Sequence, residues 1–182
     1  MAPSTERFIA ISCTVVGVGP GGTTNAWPSW IIAASQYSID MFRPLQRQVT
    51  DYRTQQTANA MTFAAIQSYC STFFRGKILV GHSLWNDLAV LGLPHPAIDT
   101  RDVALYLPFR NALRSPSQII GLQTLSWQLM SRRCQEGQSH PVENARAALD
   151  LYRTDADAWE ASISRGNWPC ALPPSTFSRC YL

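Results

Sequence analysis

Phe8-Ile-Ala-Ile-Ser-Cys-Thr-Val-Val-Gly-Val-Gly-Pro-Gly-Gly22 is the stretch that decides the fold. A β-branched, apolar run breaks abruptly into a Gly/Pro turn, the pattern of a buried central strand whose far end delivers side chains into a site. Ser12 and Thr14 lie two residues apart, so along a strand they share one face.

Outward from this strand, Trp30 to Phe42 reads as one or two further strands in a hairpin ended by Pro44, with Thr50-Asp-Tyr-Arg-Thr54 in the loop that follows. Met61 to Arg75 has apolar residues three and four apart and stops at Gly76, which predicts an amphipathic helix. Lys77 to Val80 reads as a short buried strand. Gly81-His82-Ser83 then leads into a helix carrying Leu84, Leu88 and Leu91, with Asp87 near its start. Ala97 to Thr100 reads as one more strand and Gln118 to Arg133 as a helix. The longest helix is expected from Pro141 to about Arg165, with Pro141 at its first position and His140 before it as cap. Strands followed by alternating helices and strands predict an α/β domain over residues 1–165, with a mixed central sheet flanked by helices. Residues 166–182 form a Pro-rich tail that wraps the domain or docks on a partner.

A chain of 182 residues, 46% hydrophobic and 15% charged, has the composition of a folded domain with a full core. The polar start and the short apolar runs give no signal peptide and no membrane span, so the expected location is intracellular, cytoplasmic or nuclear. The five cysteines share no CxxC spacing, which argues for reduced thiols over zinc or a disulfide framework. Net charge is +3 and Lys77 is the sole lysine, so no dense basic stripe marks a strong nucleic-acid binder.

Several blocks then occur together: Val16-Gly-Val-Gly-Pro-Gly-Gly22, Val49 to Thr54, Ile78-Leu-Val-Gly-His-Ser-Leu-Trp-Asn-Asp-Leu88, Asp99-Thr100 and Glu143-Asn-Ala-Arg-Ala-Ala-Leu149. In order and spacing they resemble the DEDDh 3′–5′ exonucleases, in the branch of RNA exonuclease 4 and the interferon-stimulated 20 kDa exonuclease. The resemblance covers residues 7 to 165 and implies the ribonuclease H-like exonuclease fold. It also implies four carboxylates around two divalent metals and a water-activating histidine, because hard cations want anionic oxygens. On this sequence the first Asp falls at Ser12, the Glu at Thr14, the third acid at Asp87, the histidine at Ser139 and the last acid at Asn144.

Only Asp87 keeps the family's residue type, which makes it the candidate lone acid or base. Ser12, Thr14, Ser139 and Asn144 mark the former metal site, with His82, Trp85, Tyr106 and His140 as expected neighbours. The expectation from this pattern is a degenerate, metal-independent pseudoenzyme without cofactors. Its role would be that of a binding or scaffold module for a small-molecule or protein partner, with a weak grip on nucleic acid. The alternatives are a metal-free isomerase, cyclase or dehydratase acting on a small molecule in the cleft, and a residual 3′–5′ exonuclease on RNA or single-stranded DNA.

Overall fold

The computed structural model describes residues 5–18, 24–35, 63–136 and 141–182, with backbone alone over 14–18 and 24–35. The expected strand end near Phe42, the loop Thr50 to Thr54, Ser139 and His140 lie outside the described residues. The sheet has four strands in the order β2-β1-β3-β4, where β1 is Phe8–Val18, β2 Thr24–Ser35, β3 Ile78–Gly81 and β4 Thr100–Asp102. β2 runs antiparallel to β1, placing Ser12 opposite Ile32 and Thr14 opposite Trp30, and their register shifts just beyond Thr14. β3 lies parallel to β1, and β4 parallel to β3. This is the mixed sheet that the apolar runs predict.

Pairing between β1 and β3 extends from Phe8 only to Ala10, although β1 continues to Val18. The free length of β1 beyond β3 is what opens a site at the strand's carboxyl end. At the point of divergence Gly81 is required for space: a Cβ there would lie 2.4 Å from Leu84 Cδ2 and 3.0 Å from the Ile11 carbonyl oxygen. Such close approach of two backbones is the use glycine has in a strand.

The helices are α1 (Phe63–Phe74), α2 (Leu84–Leu91), α3 (Leu107–Ala112), α4 (Leu122–Met130), α5 (Pro141–Thr154) and α6 (Ala156–Ser164). α5 covers one sheet face, where Phe8 stacks on Tyr152 with ring centroids 5.3 Å apart. Alternation along the strand then turns Ala10 and Ser12 to the α5 side and Ile9, Ile11 and Cys13 to the other. Among the described residues, no helix is long and apolar enough to cross a membrane.

Three local expectations are corrected by the structure, and one helix was not expected. The single long helix expected from Pro141 to Arg165 is broken at Asp155 into α5 and α6. The Thr154 hydroxyl donates back to the Leu151 carbonyl, and the Asp155 carboxylate accepts from the Tyr106 hydroxyl. The break lets Trp159 turn inward, where it stacks on Tyr106 with ring centroids 3.7 Å apart and the ring planes nearly parallel. Ala97–Asp99 is a 3-10 turn, closed by the Thr100 hydroxyl on the Ala97 carbonyl, so the strand begins only at Thr100. α4 begins at Leu122, after an extended Gly121. α3 had no periodic signal because it is a six-residue helix with Pro108 in its first turn.

Residues after Gly166 fold back on the domain. Cys170 bridges to Tyr106, with the Ala171 N–H donating to the Leu105 carbonyl at 2.8 Å. Further on, the His95 N–H donates to the Cys180 carbonyl at 2.9 Å and the Leu182 N–H to the His95 carbonyl at 3.1 Å. Cys170 and Cys180 are buried, and all five cysteines are free thiols.

Candidate active site

Asp87 reaches the site because three features fix the turn before its helix. β3 ends at Gly81, Ser83 adopts a left-handed conformation (φ 58°), and the buried Asp102 receives the turn's amides. The Ser83 N–H donates to Asp102 Oδ1 at 2.9 Å, the Leu84 N–H to Oδ2 at 2.7 Å and the Ala104 N–H to Oδ1 at 3.0 Å. A carboxylate at a helix amino terminus satisfies donors that have no partner within the helix and complements the helix dipole. Asp102 therefore holds the β3–α2 turn, the kind of local role its sequence position suggests. Burial pushes its carboxyl above the usual range, against the pull of His82 and the three amides.

One turn into α2, Asp87 is 8% exposed and faces β1. Its contact there is Cys13, the residue between Ser12 and Thr14, through both backbone N–H and thiol. Burial, the largest cause, raises the Asp87 carboxyl to about 8, the Cys13 hydrogen bonds oppose the rise, and the charge of Asp102 adds to it. Burial first and the neighbouring Asp87 second push the Cys13 thiol upward, so it stays a protonated donor. At neutral pH Asp87 accordingly holds a proton, and it releases that proton only in mildly alkaline solution.

The remaining candidates fall into two groups. Ser12 is half-buried on β1, and Asn144 is half-buried in the first turn of α5. The Asn144 side-chain oxygen accepts from Gln135 Nε2 at 2.9 Å, while Glu143 accepts the Gln135 backbone N–H at 3.1 Å. His82 is half-buried beside the α2 turn, with Nε2 2.7 Å from the Ile120 carbonyl oxygen and Nδ1 3.3 Å from Ser83 Oγ. Trp85 and Tyr106 pack in the core rather than in an open cleft. Trp85 is 3% exposed, with its carbonyl near the Cys180 thiol, and Tyr106 lies between Trp159 and Phe109. Large flat rings gain most from full burial, which draws both inward. For Thr14 the structure gives the backbone position alone, opposite Trp30.

Two participants carried no clear signal in the sequence. Cys13 was hidden between the two positions of interest, on the other face of the strand. Tyr181 belongs to the tail, yet its hydroxyl lies 3.5 Å from Asp102 Oδ2, a contact between residues 79 apart in the chain. No local pattern links them.

The donors at the described site positions are one carboxyl, one hydroxyl and one amide. They do not fit a pair of divalent cations, which needs several anionic oxygens.

Comparison with known proteins then bears on function. No family model matches the chain. It is 32% identical over 179 residues to RNA exonuclease 4 of Mus musculus, covering 92% of this chain and 40% of that protein. Identity to RNA exonuclease 4 of Saccharomyces cerevisiae is 33% over 163 residues, covering 85% of this chain and 56% of that protein. It is 32% identical over 183 residues to the apoptosis-enhancing nuclease of Pongo abelii, covering 92% and 55%. The chain thus spans about half the length of these relatives. Among solved structures, the catalytic unit of Neurospora crassa Pan2, with its protease and nuclease domains, superposes with a TM-score of 0.63. That match has 18% identity and covers 91% of this chain and 29% of that one. The Saccharomyces cerevisiae Pan2 exonuclease module in complex with A7 RNA gives a TM-score of 0.65 at 18% identity, covering 91% and 31%. These similarities establish the exonuclease fold.

They also correct the functional expectation. A degenerate, metal-independent pseudoenzyme, reused as a scaffold or as a small-molecule isomerase, cyclase or dehydratase, is contradicted by relatives that bear nuclease names across most of this chain. That expectation weighed four altered side chains against the family's chemistry. The similarity extends instead over most of the chain.

Proposed function

We propose that this chain, a member of the exonuclease family that includes RNA exonuclease 4, acts on RNA and removes nucleotides from its 3′ end. The observation that carries this reading is identity of 32–34% to proteins named RNA exonuclease 4, spread over 82–92% of the chain. The structural relatives include an exonuclease module bound to A7 RNA, which supports the same class of ligand. In the site, Asp87 supplies a carboxyl that carries a proton at neutral pH, positioned by the Asp102-held turn against the end of β1. A group with a pKa near the working pH suits proton exchange with a reacting oxygen.

The test is a time course on a 5′-labelled single-stranded RNA, run with Mg²⁺, with Mn²⁺ and with chelator, for wild type and Asp87→Asn. Expected is progressive shortening from the 3′ end by wild type and at least tenfold slower shortening by the variant. With Asp87 acting as proton donor, the wild-type rate falls as pH rises through about 8. RNA that stays intact under all three conditions, while a control exonuclease degrades it, would sink the reading.

A further inference from the structure

Beside α4 the surface holds a hollow of about 310 Å³. Its walls come from α4 and from the loop that follows, with Trp127, Gln123, Gln128, Arg133 and Glu136 on them. Trp127 is 46% exposed, the most open of the four tryptophans whose side chains are described. The Arg133 guanidinium lies 5.3 Å from the centre of its ring.

We infer that this hollow is a base-binding subsite for the RNA strand, with Trp127 as stacking platform and Arg133 as the cationic partner of base or phosphate. The inference rests on the RNA reading above and adds to it where the strand runs. An aromatic ring and an arginine plane side by side form the arrangement that grips single-stranded nucleic acid, because every base offers a π-face. Gln123 lies one turn before Trp127 on α4, so its amide stands on the same helix face, within reach of a base edge. A volume of about 310 Å³ is ample for one stacked base.

Competing contacts in the hollow are weak. Arg133 reaches Glu136 at 3.1 Å, but the two side chains are 69% and 59% exposed. An ion pair so open is worth roughly 0–1 kcal/mol, so a phosphate can displace it. Trp127 is only half-buried, and its ring already carries the Arg133 guanidinium, which a base stacking there shares or displaces. The loop that walls the hollow also carries Gln135, whose amide donates to Asn144 Oδ1, so the hollow and the first turn of α5 share one segment.

The experiment is fluorescence anisotropy of a labelled ten-nucleotide single-stranded RNA whose 3′-terminal linkages are cleavage-resistant phosphorothioates, with wild type, Trp127→Ala, Trp127→Phe and Arg133→Ala. Wild type is expected to bind. Trp127→Ala should bind roughly ten- to a hundredfold more weakly, the worth of one stacked base. Trp127→Phe should recover most of that loss, and Arg133→Ala should lower the slope of log affinity against log salt by about 0.7. Thermal melts check that each variant is folded. Wild-type binding with equally tight binding by Trp127→Ala overturns the subsite while leaving the RNA reading in place. Absence of any wild-type binding overturns the RNA reading itself.

Discussion

Two regions of the domain solve opposite problems. Around β4, α3 and α6, every large side chain is spent on cohesion. Tyr106, Trp159 and Phe109 interlock, and the buried Arg101 grips Glu160 through Nε to Oε1 at 2.6 Å and Nη2 to Oε2 at 2.9 Å. Tyr152 of α5 adds a third bond to Glu160 at 2.9 Å, tying the two helices together. At the carboxyl end of β1, by contrast, polar groups are placed where they stabilise little. Asp87 is buried with a raised pKa, and Ser12 faces a half-open space. The difference separates a region selected for stability from one that keeps reactive groups at a cost to stability.

The comparison can be broken most forcefully at the cohesive end. Glu160→Ala strands a buried guanidinium, and removal of one partner of a buried pair costs about 3–5 kcal/mol. Urea denaturation reads this as a lower midpoint, and a loss under about 1 kcal/mol would show that the pair contributes no cohesion. At the boundary of the two regions, Gly81→Ala should cost about 1–3 kcal/mol by overpacking. The Leu84 side-chain tip can move aside, whereas the Ile11 carbonyl oxygen at 3.0 Å is backbone and cannot readily do so. A neutral result would place the β1–β3 divergence elsewhere.

Asp87→Asn sharpens the other side through pH. The folded carboxyl titrates at about 8, far above its ordinary value of 3.8, so between those values the folded chain holds a proton that the unfolded chain has released. Wild-type stability contributed by this group therefore falls as pH rises through that window, and the whole penalty is in force above about 8. Asparagine carries no such penalty and can still accept the Cys13 N–H. Melting curves should nearly coincide near pH 4 and separate in favour of the variant by pH 9. Equal melting temperatures at pH 9 would mean that Asp87 is not buried as described. The smallest effect is expected from Ser12→Ala, within about 0.5–1 kcal/mol of wild type. A loss there as large as that of Glu160→Ala would erase the distinction between the regions.

What the sequence by itself determined is the framework. The apolar run from Phe8, the Gly76 stop and the Leu84, Leu88, Leu91 spacing are local patterns, and local patterns report periodicity and punctuation faithfully. The same residues placed Asp87 near the start of its helix, and the ordered blocks identified the family. The inference from four altered side chains to lost function is contradicted by relatives that bear nuclease names over most of the chain. The tertiary structure alone decided the rest. Asp87 meets Cys13 because β3 stops short of β1, and Tyr181 meets Asp102 because the tail returns across 79 residues. The long helix breaks at Asp155 because Trp159 stabilises more when stacked on Tyr106 than when carried along a straight axis. Each of these depends on side chains distant in sequence competing for the same buried volume, and a linear pattern carries no record of that competition.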